Sequence, residues 1–514
     1  MCRKIFYRAA LAALALLASP SSSAHAQTAA ATPPQTATVT ATPPPPAAPR
    51  SPTFPAPVER TLANGLRVVV VERANTPLAT AMLMVKQGGE ADPANLSGLA
   101  DMTASLLTKG TKTRTAPQIV EQVEALGGSI QSGARWDASS ALVNVESSRL
   151  APALAILADV TRRPIFESVE IERLRQQYLD DLQVALGQPG SIARYAAARI
   201  VFGEQPYGHP LSGTPESLPQ IKRADIIKFH EDYYRPDNAI LILGGDVRPA
   251  EAFKLAEQLF GDWAKPARAL PSAGGAKAAA GKAAAKPRVV VIDKPDAGQA
   301  AVVVTRLGIN RRDQDFFRGL VTNSVLSGYS GRLNQEIRIK RGLSYGAGSL
   351  LEVRRDVGPF SASAQTKNES GAEVADLLLA EVSRLATGDV PEAELVPRKA
   401  VLIGGFARNL ETINGLVSQV ASLALLDLKF DEINRYIPGV QAVTAADIRR
   451  FAAARLGARE TNVVIVADAR KFLPALRKKY PHAEVIPIAE LDLNRVTLRR
   501  APAAPAVKPA AKTP

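Results

Sequence analysis

Cysteine is almost absent. The 514-residue chain has one, Cys2, which can close no intramolecular disulfide and has no partner for a thiolate metal cluster. Zinc ribbons, zinc fingers and disulfide-stapled scaffolds are therefore excluded. Histidine is scarce as well. Beyond His25 the chain has His209, His230 and His482, none three or four residues from another, so no helical turn presents two imidazoles to one metal ion. Nor does any stretch reach the roughly 18 uninterrupted apolar residues that a membrane-spanning helix needs. What is present, 46% hydrophobic and 22% charged residues, suffices for two or more domains that each bury a core, and a disordered polyelectrolyte is ruled out. Stability has to come from packing.

Acidic residues are missing from particular segments. Residues 1–26 carry Arg3, Lys4 and Arg8 without an acid, then an apolar run, then Ala24-His25-Ala26, the pattern of a secretory signal. The mature protein is expected to begin near Gln27, free of cysteine, in an oxidising compartment, most simply a bacterial periplasm. Residues 27–57 are rich in Ala, Thr and Pro and read as an extended tether. Residues 269–287 read as an Ala/Gly/Lys interdomain linker, and 497–514 as a disordered tail. The net charge of +14 suggests nucleic acid at first, yet the signal, the tether, the linker through Arg288 and the tail from Arg499 hold twelve of those charges and no acid. A nucleic-acid interface would concentrate basic charge on the folded body, so none is expected.

The regions 58–268 and 288–496 repeat their landmarks. Val68 to Val71 recur as Val289 to Ile292 and Gly98-Leu99 as Gly319-Leu320, 221 residues on; Ala224-Asp225-Ile226 recur as Ala446-Asp447-Ile448 and the strand ending at Asp246 as the one ending at Asp468, 222 residues on. Four matches in order at a held offset point to duplication. Within each half, β-branched runs alternate with segments of helical apolar spacing in the order strands, helices, strands, helices. That order predicts an α+β fold of two homologous halves, each a mostly antiparallel sheet packed with helices.

Asn64-Gly65-Leu66-Arg67 with the valine strand, Gly98-Leu99-Ala100, Lys109-Gly110-Thr111, Tyr207-Gly208-His209-Pro210, and Tyr234-Arg235-Pro236-Asp237-Asn238 through Gly244-Gly245-Asp246 resemble the pitrilysin/insulinase zinc metallopeptidases in order and spacing. The resemblance covers nearly all of both halves and implies a clam-shell half-chamber that admits unfolded peptides. It also implies an inverted zinc motif, His-x-x-Glu-His, on the helix after Gly-Leu-Ala. Two histidines one turn apart would hold the ion and the glutamate would activate water.

At those positions this chain reads Asp101-Met102-Thr103-Ala104-Ser105. Both imidazoles and the base are gone, and the family's third ligand, a glutamate on another helix, falls near Asp181. Asp101, Asp181 and Ser105 are hard oxygen donors suited to Ca²⁺ or Mg²⁺ rather than Zn²⁺, and Ala104 cannot deprotonate water. No metal, and no catalytic residue, is expected in this chain alone. His209 and His230 fall at family landmarks away from the metal site and read as structural histidines.

The second half keeps another family signature. The run from Gly331 to Tyr345 resembles the segment whose arginine and tyrosine, seven apart, reach the substrate at the zinc; here they are Arg338 and Tyr345. Guanidinium and phenol can both donate to a peptide carbonyl or its tetrahedral oxyanion. Gly342 and Leu343 should end the helix and bring Tyr345 to the start of a strand, while Lys340 and Arg341 read as a solvated basic face.

Together these features imply a non-zinc, substrate-binding subunit of a heteromeric metallopeptidase. A zinc-bearing partner subunit would supply the metal, and peptidase activity is expected only with it. A stand-alone scaffold or peptide-binding protein on the same fold is the alternative. An autonomous peptidase with a carboxylate site ranks last, for want of a general base.

Overall fold

A computed structural model of the chain describes residues 54–271 and 286–500. The signal expected over 1–26 lies outside the described residues, as do most of the tether, linker and tail. The fold is α+β, with two six-stranded sheets in two halves. In the first half β1 (Val58–Thr61), β2 (Arg67–Glu72), β3 (Leu78–Val85), β4 (Ser129–Ala134), β5 (Ser139–Glu146) and β6 (Ala239–Gly245) are ordered β1-β2-β6-β3-β5-β4. In the second, β7 (Val289–Asp293), β8 (Ala300–Leu307), β9 (Ser344–Leu351), β10 (Pro359–Thr366), β11 (Asn462–Ala467) and β12 (Glu484–Pro487) are ordered β12-β7-β11-β8-β10-β9. Five strands correspond one to one, β2 to β7, β3 to β8, β4 to β9, β5 to β10 and β6 to β11. The edge strand beside β2 comes from the start of its half, and that beside β7 from the end. Most neighbours are antiparallel, the exceptions being β2 with β6 and β7 with both β11 and β12.

The helices repeat too. Those of the first half are α1 (Leu99–Leu106), α2 (Ala116–Ala125), α3 (Leu150–Arg162), α4 (Ser168–Gly187), α5 (Pro189–Phe202), α6 (Arg223–Tyr233) and α7 (Pro249–Phe260). Those of the second are α8 (Phe316–Leu326), α9 (Arg332–Asn334), α10 (Gly371–Thr387), α11 (Glu392–Glu411), α12 (Ile413–Leu425), α13 (Glu432–Ala442), α14 (Ala445–Arg455) and α15 (Leu473–Lys479).

The central strands are apolar on both faces. Val68 and Val70 of β2 join the core formed with the first half's own helices, whereas Val69 and Val71 point the other way with Ile240 and Ile242. That second face is covered by the other half: Leu416, Val417, Val420 and Leu423 of α12 pack on it. The second sheet is treated alike, with Ile192, Ala193, Ala196 and Ala197 of α5 seated on Val290, Ile292, Val303, Val464 and Val466. The two halves thus exchange equivalent helices, and the central strands of each sheet are buried on both faces, which is why they need continuous runs of Val and Ile.

A second clasp is polar. The turn joining β9 to β10 places Arg354 against three rings of the first half, 4.6 Å from the Trp136 centroid, 4.5 Å from Tyr207 and 5.4 Å from Phe202. The same guanidinium is held bidentately by Glu352 at 2.9 Å. Next to it, Arg355 donates to the carbonyls of Lys86 (2.7 Å) and Asp137 (2.8 Å) and lies 3.4 Å from the buried carboxylate of Glu90.

The ordered body extends beyond the ends drawn from the sequence. Phe54 packs on the cluster around α12 and α13, its N–H donating to Asn434 at 3.2 Å. Leu498 is fully buried beside α5, so the tail boundary at 497 falls within folded chain. Arg288 and Arg499, counted above with the flexible segments, are paired with Glu484 and Glu490. A lone large apolar residue among Pro, Ala and Arg gives little sign in sequence that it will find a pocket.

Arg354→Ala should lower unfolding free energy by about 3 kcal/mol in chemical denaturation, because it removes the cation from three rings and leaves Glu352 unpaired. Burial pushes the Glu90 carboxyl up to about 8, with Asp137 adding to it and Arg355 opposing. Between its ordinary 4.5 and about 8 the folded state therefore holds a proton the unfolded chain has lost, and stability falls as pH rises through that window. Thermal melts should show this slope in the wild type and a flatter one in Glu90→Gln; an unchanged slope would assign it elsewhere.

Candidate functional site

The site is built on α1, whose entry is fixed by close backbone packing. Gly98, at φ +96°, caps α1 and lies against Gly213, so near that a Cβ on Gly98 would sit 2.9 Å from the Gly213 backbone. The Gly98-Leu99 landmark and the Gly213-Thr214 segment are therefore two sides of one contact, and the left-handed φ at Gly98 leaves no room for another residue. Buried Asp92 completes the cap, accepting from the N–H groups of Gly98 (2.7 Å) and Ala100 (2.8 Å).

Asp101, Ala104 and Ser105 follow on α1. One Asp101 oxygen accepts from the Ala134 N–H of edge strand β4 at 3.3 Å, and the other from the Tyr178 hydroxyl of α4 at 3.1 Å. The Tyr178 oxygen lies 2.9 Å from the Ser105 hydroxyl, which donates to it. The result is a chain from Ser105 through Tyr178 to Asp101. Burial lifts the Asp101 carboxyl above its usual range, against the hydrogen bonds from Ala134, Tyr178 and Ser212. Burial and then the Asp101 charge push the Tyr178 phenol upward. Ala104 is fully buried and offers no donor atom.

Asp181 is exposed, one turn beyond Tyr178 on α4. The structure thus brings Asp101 and Ser105 together with Tyr178, not with Asp181. Tyr178 was missed by the sequence reading, although its place three residues before Asp181, on the same face of a helix, is the signal that could have found it.

Zinc needs three protein ligands of N, S or carboxylate type and an open fourth position. Here the carboxylate of Asp101 is saturated by protein donors, the other two motif positions carry a methyl group and a hydroxyl, and the phenol of Tyr178 is bonded to both Asp101 and Ser105. Among the described residues no group of three or more His, Cys, Asp and Glu side chains converges. The residues present do not fit a zinc ion. His209 and His230 serve packing: His209 stands edge-on to Trp136 and bonds the Gly89 carbonyl at 3.1 Å, while His230 bonds the Thr161 carbonyl at 2.9 Å and is pushed down to about 4 by burial.

The arginine and tyrosine positions lie on the second-half counterpart of α2 and β4. Where α2 is a regular helix with a capping box at Thr115, α9 continues as π-helical turns over Gln335–Lys340. Both segments end in a left-handed glycine, Gly127 at φ +69° and Gly342 at φ +63°. The Leu343 N–H reaches back to the Ile337 carbonyl at 2.9 Å, and β9 starts at Ser344. Arg338 and Tyr345 therefore sit on one helix–turn–strand unit.

Their surroundings separate them from the other basic residues. Lys340 and Arg341 both pair with Glu336, and Arg332 is held bidentately by Glu394 at 2.8 and 2.9 Å. Lys340 and Arg341 are thus ion-paired rather than simply solvated. Among the described residues Arg338 has no carboxylate partner and its guanidinium lies 5.3 Å from the Tyr329 ring. Tyr345 is 87% exposed and lines a cleft of about 700 Å³ between α5 and the β8, β10 and β9 strands, with Gln188, Arg194 and Gln365. Arg338 does not line that cleft. Both side chains keep their donors available to a ligand.

Known proteins resemble most of the chain. Residues 67–215 match the family described as Insulinase (Peptidase family M16), and 220–402 match the Peptidase M16 inactive domain. An uncharacterized zinc protease of Mycobacterium leprae is 28% identical over 80% of this chain and 93% of its own length; one of Bacillus subtilis is 22% identical over 76% and 94%. A solved structure from Pseudomonas fluorescens, described as a peptidase M16 inactive domain, superposes with a TM-score of 0.73 at 25% identity over 80% of this chain and 98% of that one. A protease from Helicobacter pylori superposes at 0.75, over 81% and 100%, with 21% identity and hence as a fold likeness. With both of its halves matched in this way, the chain belongs to the pitrilysin/insulinase family, peptidase family M16.

Proposed function

We propose that this chain is the non-zinc, substrate-binding subunit of a heteromeric peptidase of its family, secreted to the periplasm. The observation that carries the reading is the contrast between the two candidate positions. On α1 the metal-binding positions are filled by a closed Asp101–Tyr178–Ser105 hydrogen-bond chain. On the α9–β9 unit, Arg338 is free of any carboxylate among the described residues and Tyr345 is exposed.

In this role Arg338 and Tyr345 hold the carbonyl of an extended peptide and direct N–H and O–H donors at the oxygen where charge develops. Water activation belongs to the partner subunit, since Ala104 has no proton acceptor. The alternative, a stand-alone scaffold or peptide-binding protein, is favoured by the same closed network, which satisfies the former metal position without a metal.

Mixing the purified chain with a zinc-bearing relative from the same organism should produce peptide cleavage that neither gives alone. Arg338→Ala or Tyr345→Phe should reduce kcat on the order of 100-fold, the cost of one oxyanion donor. Full activity of the zinc-bearing relative by itself would overturn the subunit reading and leave the scaffold. Elemental analysis of this chain, purified alone from zinc-supplemented medium, should find no stoichiometric zinc; a full equivalent would revive a carboxylate metal site.

A further inference from the structure

A second arginine beside Arg338 is left without a carboxylate. Arg398, on α11, is only 6% exposed, and among the described residues no carboxylate lies within ion-pair distance of it. Its guanidinium instead supports the loop 327–331, donating through Nη1 to the Ser327 carbonyl at 3.3 Å and through Nη2 to the Ser330 hydroxyl oxygen. Glu394, one turn before Arg398, is already engaged by Arg332, and Glu336, two residues before Arg338, by Lys340 and Arg341.

A buried cation without a counter-charge is costly, and a bound anion nearby would offset that cost. The hydrogen bonding says which kind of ligand. Because Ser330 accepts from Arg398, its own hydroxyl proton is free to be donated outward, and Ser330 is exposed. The same loop carries Tyr329, over which Arg338 lies with its five N–H donors. Asn334 pins the loop by donating to the Tyr329 carbonyl at 2.6 Å. The loop therefore carries the exposed Ser330 hydroxyl and the ring beneath Arg338, and neither Arg338 nor Arg398 has a carboxylate partner among the described residues.

We propose that the loop 327–331 forms a carboxylate-binding subsite, contacted by Ser330 and Arg338 and held by Arg398 as a positioning residue, and that it selects peptides bearing an acidic side chain or a free C-terminal carboxylate. This rests on the reading that the chain binds peptides. The guanidinium fork of Arg338 serves both roles, with different N–H groups turned to the peptide carbonyl and to the carboxylate.

Fluorescence anisotropy on the full chain can test it with three labelled decapeptides of otherwise equal sequence. One is neutral and amidated, one amidated with a single glutamate, one neutral with a free C-terminus. One of the carboxylate peptides should bind roughly tenfold tighter than the neutral one at low salt, as a charge-assisted hydrogen bond provides. Which one does so identifies the source of the carboxylate. The advantage should shrink with added salt, disappear in Arg338→Gln, fall in the exposed Ser330→Ala, which also removes an acceptor of Arg398, and survive in Arg341→Gln. Arg398→Gln should reduce it and Arg398→Lys should restore part of it. Equal affinity for all three peptides, or an advantage that persists in Arg338→Gln, would overturn the subsite while leaving peptide binding intact. Failure to bind any of them would remove the underlying reading as well.

Discussion

The exchange of α5 and α12 is the contact on which the rest of the molecule depends. Each half builds a sheet with one face for its own helices and a second face that is apolar along its central strands, and each supplies the helix that covers its twin. Burial of apolar area is the main source of stability, so neither half could keep its Val- and Ile-rich strands alone without exposing a broad hydrophobic surface. The site on α1 and the site on the α9–β9 unit therefore belong to one compact unit. The Arg354 turn strengthens this by pinning the hairpin that ends β9 to the rings of the first half.

Duplication followed by divergence explains why the two candidate positions differ. The α2–β4 segment and the α9–β9 segment occupy corresponding places and share a left-handed glycine, but only the second is rewound into a π-helix. Such local widening shifts the side chains of one turn and is frequent at functional positions. It is here that Arg338 stands, without a carboxylate partner among the described residues. On α1 the balance runs the other way: donors and acceptors close on one another, and nothing is left over for a ligand.

Much of this could be read from the residues. The valine runs at a fixed offset announced two like sheets, and Gly342 announced the turn that delivers Tyr345 to a strand. Other features had no local signal. Apolar spacing in α5 and α12 tells that a face is buried but not against which sheet, because partner choice is decided by the closing of the whole fold. The π-helix over Gln335–Lys340 has no breaker residue to betray it. Asp181 stood where family spacing put a ligand, yet a helix presents neighbouring turns together, and Tyr178, one turn earlier, made the contact. Nothing local marks Arg398 as a helix cation that will be buried without an acid.

The Ser105–Tyr178–Asp101 chain also has a historical side. If an ancestor carried two imidazoles on α1, returning them at 101 and 105 would no longer rebuild the old centre, because the phenol ring of Tyr178 now bonds to both positions and would contend with the new rings. The intermediates on a path back would each bury polar groups stripped of partners, at a cost in folding before any chemistry was regained. Packing alone would then oppose a return of the motif, as a ratchet opposes reversal.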